Sequence, residues 1–353
     1  MSRPRSNIAA LPRRSHADAA AKHDAVSIGL SAVIVAASVQ EPRVLTIRLP
    51  AARGELGRAE DGMVEALPSG PLEAEHRTLE IGLRTWVERQ TSQRLGYVEQ
   101  LYTFGDRDRA AGDGELALPA LTVAYLALVR EARPAGSTEA EWQGWYRYFP
   151  WEDWRAGKPG LLGRLEARLE AWAAAAAGEA ERRLRQERVG LGFGLHGAAW
   201  NEELVLERYE LLYEAGLVAE AARDLSDKAP AGAAGRRGAG VAMALDHRRI
   251  VATAIGRLRG KIKYRPVVFE LMPPAFTLLQ LQRTVEALAG VRLHKQNFRR
   301  LVEQQGLVEE TGEVSAATGG RPARLVRYRR EVLLERPAPG LRLRPGRRAV
   351  TIS

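Results

Sequence analysis

Apolar positions come in two rhythms along this chain. From Leu30 to Ala37 and from Val44 to Leu49 the residues are apolar and β-branched, and Gln40-Glu41-Pro42 separates the runs. Two such runs around a short polar break predict a β-hairpin. Helical spacing takes over later. Leu161 to Arg188 is Ala-rich and charged, and predicts one long helix. Val205, Tyr209 and Leu212 then recur at i, i+4 and i+7 with Leu204 and Leu211 beside them, a one-sided apolar stripe. Asn201 caps that helix and Gly216 closes it. A further helix begins after Asp246. Phe269 to Met272 is an apolar run closed by Pro273-Pro274, which cannot continue a helix.

The next stretch carries the clearest functional pattern. Thr277 caps a helix whose apolar face is Leu278, Leu281, Val285 and Leu288, and Gly290 ends it. A short turn follows, Val291 to Leu293. The second helix, Lys295 to Gln305, buries Phe298, Leu301 and Val302 and stops at Gly306. Two short helices joined by a tight turn, the second basic, form the helix-turn-helix signature. Lys295, Gln296, Asn297, Arg299 and Arg300 crowd the N-terminal turns of the second helix, the part that enters a major groove. Asn and Gln pair with adenine edges, and Arg with guanine or phosphate. Leu307-Val308-Glu309 and Leu325-Val326-Arg327-Tyr328 flank a loop that contains Gly319-Gly320-Arg321-Pro322-Ala323-Arg324. This predicts a β-hairpin wing, with Arg321 and Arg324 reaching phosphate or minor groove.

Charge sharpens the picture. Residues 245–353 hold 22 Lys and Arg against 9 Asp and Glu, whereas the first 244 residues hold 31 against 34. The overall charge of +10 is therefore concentrated in the segment with the helix-turn-helix pattern.

The run Arg257-Leu258-Arg259-Gly260-Lys261-Ile262-Lys263-Tyr264-Arg265-Pro266, with Phe269-Glu270-Leu271, Phe276-Thr277-Leu278, Asn297-Phe298-Arg299-Arg300 and Gly320-Arg321-Pro322-Ala323-Arg324, resembles the Nudix-related transcriptional regulators. The likeness runs nearly unbroken from Asp246 to Tyr328. Membership implies a bacterial repressor of NAD-metabolism genes with a Nudix-like sensor domain. The N-terminal part fits. A Nudix box laid from Gly70 places His76 at the first Glu position, matches Arg84, Trp86 and Glu88, and puts Thr85, Arg89 and Thr91 where Glu, Glu and Gly belong. Glu99 to Asp106 and Val123 to Leu128 resemble the strands that follow the box.

Diphosphate hydrolysis by this family's catalysts needs Mg²⁺ held by converging carboxylates. Here Glu88 alone survives of the central set and Arg89 adds a cation beside it. The expectation is a catalytically silent domain with no catalytic or metal-binding residue and no cofactor. Its pocket would bind an effector, ADP-ribose or an NAD-related metabolite, through Arg84, Glu88, Tyr102 and Phe104. The alternative is an active hydrolase of ADP-ribose or a sugar nucleotide. A repressor without a ligand is a third reading.

The remaining features set the layout. The chain has no cysteine, which excludes disulfides, thiolate zinc and a cysteine nucleophile. No apolar run reaches membrane-spanning length, which predicts a cytoplasmic protein without a membrane partner. The expected fold is α+β: a disordered arm over 1–24, a Nudix-like mixed-sheet domain over 25–134 and a helical insertion with linker over 135–241. A connecting helix and strand over 242–268 lead to a winged helix over 269–332 and a basic tail over 337–353. Trp142, Trp145, Tyr146, Tyr148, Phe149, Trp151 and Trp154 form an aromatic cluster in the insertion, read as a packing knot. The insertion would be a pocket lid, with Trp151 to Trp154 stacking an adenine, or a dimer contact. The partners expected are a double-stranded DNA operator, the nucleotide effector and a second copy of the chain, since a two-fold protein reads a palindromic site.

Overall fold

The two N-terminal apolar runs pair as expected. β1 (Ile28–Ala37) and β2 (Pro42–Pro50) are antiparallel, with Val35 opposite Val44. The Ser38 hydroxyl accepts from the backbone N–H of Gln40 and of Glu41, which closes the turn. The computed structural model describes residues 27–50, 62–105, 121–130, 140–224, 239–315, 322–335 and 341. The arm, most of the linker and all of the basic tail except Leu341 lie outside them.

β3 (Met63–Ala66), β4 (Ser69–Pro71), β5 (Tyr97–Phe104), β6 (Leu121–Leu128) and β7 (Ala140–Gly144) complete a seven-stranded sheet of order β3-β2-β1-β6-β5, with β4 on β1 and β7 on β2. β1 and β6 run parallel and the other pairs antiparallel, so the sheet is mixed. Both faces of its centre are covered. Leu30, Ala32, Ile34 and Ala36 pack with Leu83 and Val87 of α1 (Leu79–Thr91). Val33, Val35, Ala124, Leu126 and Leu128 face the other way, into a core shared with every later domain. A strand buried on both faces reads as an apolar run without alternation.

Residues 140–144 lie within the expected helical insertion but form β7, an integral strand of the sheet. The long helix expected over 161–188 is two helices, α2 (Leu162–Ala174) and α3 (Glu179–Phe193), packed on each other. Gly178 begins α3 from an extended conformation. The break lets Leu162, Leu165 and Leu169 on α2, and Val189 and Phe193 on α3, reach one core. A straight helix of that length would carry its two apolar ends apart. α4 (Val205–Glu214) buries Val205, Tyr209 and Leu212 as the stripe predicts. Asn201 does not cap it; its side chain accepts from the N–H of Glu203, and α4 starts after Leu204. α5 (Ala219–Asp224) precedes the connecting helix α6 (His247–Tyr264). The strand expected after α6 is a 3-10 turn, Val267–Glu270: Pro266 has no N–H for a ladder, and Val267, Val268 and Phe269 are buried, with Phe269 against Phe276 and Tyr328.

The aromatic knot is buried: Trp145, Tyr148, Phe149 and Trp151 are essentially inaccessible. Trp151 therefore offers no face to an adenine. Trp154 is also occupied, against Trp200 at 4.5 Å between ring centroids. Of the insertion's helices, α4 packs on α6, α3 packs on α4, and α2 and α3 pack on each other, with buried residues of all three in the core on the sheet face opposite α1; among the described residues they form no lid over α1.

At the centre of this packing sits Glu152. Its carboxylate accepts from Arg208 of α4 at 2.6 and 2.9 Å and from Arg259 of α6 at 2.6 Å, and all three side chains are shut off from solvent. Arg208 also donates to the carbonyls of Gly192 and Asn201, and Arg259 to those of Leu288 and Glu202. Burial alone would raise the Glu152 carboxyl; the two guanidiniums more than reverse this and hold it below the usual carboxylate value. Removing one member of a buried pair strands the others, at a cost of about 3–5 kcal/mol. Glu152→Gln should lose stability of that order in chemical denaturation, whereas Glu179→Gln, in an exposed i,i+4 pair with Arg183, should change it by less than about 0.5 kcal/mol. A carboxyl depressed in the folded state contributes fully above its unfolded value and less as pH falls through the folded one. The gap between wild type and Glu152→Gln should therefore be largest at neutral pH and narrow on acidification below about pH 4.5.

Candidate nucleic-acid interface and sensor site

The helix-turn-helix forms where the pattern placed it. α7 (Leu278–Ala289) opens with a reciprocal capping box, the Thr277 hydroxyl accepting from the Gln280 N–H and the Gln280 side chain accepting from the Thr277 N–H. Gly290 closes it in the left-handed region, φ 73°. α8 (Lys295–Gln304) buries Phe298 and Val302 and leaves Lys295, Gln296, Asn297, Arg299 and Arg300 exposed. Arg300 donates to Asn297 Oδ1 at 3.4 Å, so the two lie on one face. This is a row of donors and acceptors on a rigid helix, with its apolar side anchored.

Two residues that sequence reasoning missed hold the turn. Glu286 is 2 % exposed on α7. It accepts from the Leu293 N–H at 3.0 Å, from Gln282 at 2.9 Å and from Arg292 at 2.9 Å, while Gln282 also donates to the Leu293 carbonyl. Burial pushes the Glu286 carboxyl up, and these three donors bring it below its usual value. The available signal was a polar pair four residues apart, Gln282 and Glu286, beside the apolar face of a short helix.

The wing is β8 (Val308–Ser315) and β9 (Ala323–Tyr328), with a register shift between Glu310 and Val314 at Gly312, φ 83°. Phe276 bridges to Val326, and Phe269 stacks on Tyr328 at 4.3 Å, which fastens the wing to the entry of α7. Arg324 is exposed and paired to Glu310 at 2.7 Å; Arg327 is paired to Glu309 at 2.5 Å. Arg321 lies outside the described residues.

The four residues expected to line the effector pocket are not brought together. Arg84 and Glu88 are on α1, over one sheet face. Tyr102 and Phe104 pair with Ala124 and Thr122 and project from the other face. Arg84 donates to the carbonyls of Leu95 and Gly96 and to Glu80, tying α1 to the loop before β5. Glu88 is exposed and paired with Arg94 at 3.1 Å. Phe104 is buried in the core, whereas Tyr102 is 58 % exposed. His76 is packed against Gly82 and accepts from the Glu73 N–H. Trp86 lies over Gly70, where any side chain would meet its ring, and donates to the Pro71 carbonyl; the Arg89 guanidinium sits 4.7 Å above it. Gly70 and Trp86 thus fit each other as a packing pair. Among the described residues no cluster of three or more His, Asp or Glu is arranged to hold a metal ion.

Comparison with known proteins agrees with the C-terminal half of this reading. Residues 268–328 match the family described as the NrtR DNA-binding winged helix domain. The ADPR responsive transcriptional repressor NtrR of Acinetobacter baylyi is 42% identical over 86 residues, 24% of this chain and 34% of that protein, so the match spans about a third of the relative. A crystal structure of Shewanella oneidensis NrtR with a 27mer DNA is similar at 19% identity and TM-score 0.49, covering 86% of this chain and 94% of that one. A MutT/nudix family protein from Enterococcus faecalis aligns at 14% identity and TM-score 0.46, covering 87% and 88%.

Two substitutions separate reading from anchoring at this interface. Asn297→Ala should cost about 1–3 kcal/mol at one base pair of a preferred duplex and little on scrambled DNA. Glu310→Gln frees Arg324, so it should strengthen binding to every sequence and steepen the salt dependence by about one phosphate contact. Fluorescence anisotropy over a salt series checks both; equal losses on all sequences for Asn297→Ala would remove its base-reading role.

Proposed function

We propose, from a C-terminal segment that belongs to the NrtR winged-helix family, that this chain is an effector-responsive transcriptional repressor. The observation that carries the reading is the exposed face of α8: five polar residues, from Lys295 to Arg300, presented on a helix locked by Phe298, Val302 and the Glu286 turn. Such a face reads base edges in a major groove while the wing approaches the backbone. A two-fold pair of chains would place two α8 helices on a palindromic operator. The mixed-sheet domain would be the sensor, with ADP-ribose or a related NAD metabolite as effector and NAD-metabolism genes as targets. The Acinetobacter baylyi repressor, described as ADPR responsive, supports that choice of effector. The protein would work in the cytoplasm; among the described residues no helix is long and apolar enough to cross a membrane.

The hydrolase alternative finds little support. Glu88 is paired with Arg94, Arg89 lies against Trp86 and Thr85 donates to the Ile81 carbonyl. An effector acts by binding the free and DNA-bound shapes unequally. Duplex upstream of NAD-biosynthesis genes, titrated with the protein, should bind tightly, and ADP-ribose should shift the midpoint by about five-fold or more. An unchanged midpoint would remove ADP-ribose as effector. Turnover of ADP-ribose with Mg²⁺ at roughly 1 s⁻¹ or above would restore the hydrolase.

A further inference from the structure

We propose that the segment Tyr146–Arg155, with Arg259, is the positioning element of the DNA reader: it caps the C-terminal end of α7 and so sets the angle at which α8 leaves the body. The proposal rests on the reading of α8 as the recognition helix.

The last carbonyls of an α-helix have no partner within it. At the end of α7 the left-handed Gly290 cap satisfies only the Glu286 carbonyl, through its own N–H. The next two, and the carbonyl of Gly290 itself, are met from outside the winged helix. Tyr146 donates its hydroxyl to the Ala287 carbonyl at 2.6 Å, Arg259 donates to the Leu288 carbonyl at 3.0 Å, and the Trp154 N–H donates to the Gly290 carbonyl at 2.7 Å. The approach is close: a Cβ built on Gly290 would lie 2.3 Å from the Glu152 carbonyl oxygen and 3.0 Å from the Tyr146 hydroxyl. A fourth link leaves the turn itself, where Arg292 donates to the Arg155 carbonyl at 3.2 Å and to Glu286 at 2.9 Å.

The consequence follows from the order of these bonds. Glu286 and Gln282 fix the turn to α7, and α8 begins two residues after Leu293. The segment Tyr146–Arg155 fixes the end of α7 to the body. That segment is itself held by Glu152 between Arg208 and Arg259. Side chains far from any groove thus decide where the recognition helix points. A ligand that moved this segment against α6 would re-aim α8 without touching DNA.

The test uses the full chain and Tyr146→Phe, which removes one hydroxyl and keeps the ring beside Trp145 and under Arg155. The chain has no cysteine, so spin labels at Glu187→Cys on α3 and Glu303→Cys on α8, both exposed, report the angle of α8 on the body. A narrow distance distribution is expected for the parent and one broadened or shifted by several ångströms for Tyr146→Phe, with an unchanged circular-dichroism spectrum. Affinity for a duplex selected by the parent from a random-sequence pool should fall about five-fold or more, and affinity for scrambled duplex should hold. An unchanged distance distribution overturns the proposal. So does a widened one with selective affinity intact. If the parent selects no sequence, the repressor reading fails, while the distance measurement still decides whether Tyr146 positions α8. Gly290→Ala, which pushes against the Glu152 carbonyl, should displace α8 in the same assay; a distribution identical to the parent's would also overturn the proposal.

Discussion

One carboxylate organises this molecule. Glu152 stands where several parts of the chain converge, and its two guanidinium partners, Arg208 and Arg259, come from different helices, α4 and α6. A buried Arg–Glu–Arg cluster is a poor source of net stability, because desolvating three charges offsets most of what their attraction returns. Its effect is on uniqueness. Each guanidinium also needs carbonyl acceptors in fixed directions, and these come from Gly192, Asn201, Glu202 and Leu288. These acceptors come from the insertion and the winged helix, and the guanidiniums from α4 and α6, so the cluster ties all of them to one mutual arrangement. A second buried pair, Arg248 with Glu220, repeats the logic at the other end of α6. There His247 also accepts from the Leu67 N–H, which ties the connecting helix to the strands before the box helix.

Local chemistry was legible in the sequence and long-range satisfaction was not. The Thr277 cap, the Gly290 stop and the buried stripe of α4 follow from spacing within a dozen residues, and the wing hairpin from two short strand patterns around a glycine-rich loop. β7 escaped detection because it pairs with β2 across about a hundred residues, and no local period marks that. The break between α2 and α3 was hidden by alanines that favour helix on both sides of Gly178. The sensor residues were read from a motif whose positions presuppose a shared site. Arg84 instead satisfies carbonyls of the loop after its helix, and Phe104 faces a core that the insertion creates. That core could be foreseen only in part: the aromatic knot was read as packing, but its attachment to the end of α7 depends on backbone carbonyls that a sequence does not display.

The mixed sheet and the winged helix share one continuous core on the face away from α1. The sheet supplies Val33, Val35 and Leu126, α6 supplies Ile255 and Leu258, and the winged helix supplies Leu281, Phe298 and Val326. No polar linker separates the described domains there. Arg130, just past β6, donates to the Met272 carbonyl at 2.7 Å, and Lys261 of α6 meets Tyr97 at 2.7 Å on β5. A displacement in the sheet reaches the winged helix through packed side chains, because densely packed interiors transmit strain.

The paired wing bears on how such a protein would find its address among random sequence. Every free cation on a DNA-facing surface lengthens the stay on non-specific sites, which outnumber operators in a genome by orders of magnitude. With Arg324 and Arg327 already matched by Glu310 and Glu309, β9 adds little to that idle residence. The cations of α8, by contrast, sit beside the side chains able to tell one base pair from another. A wing matched in this way would shorten the stay on wrong sites relative to an unpaired one, and leave the longer stay to places where α8 finds its complement.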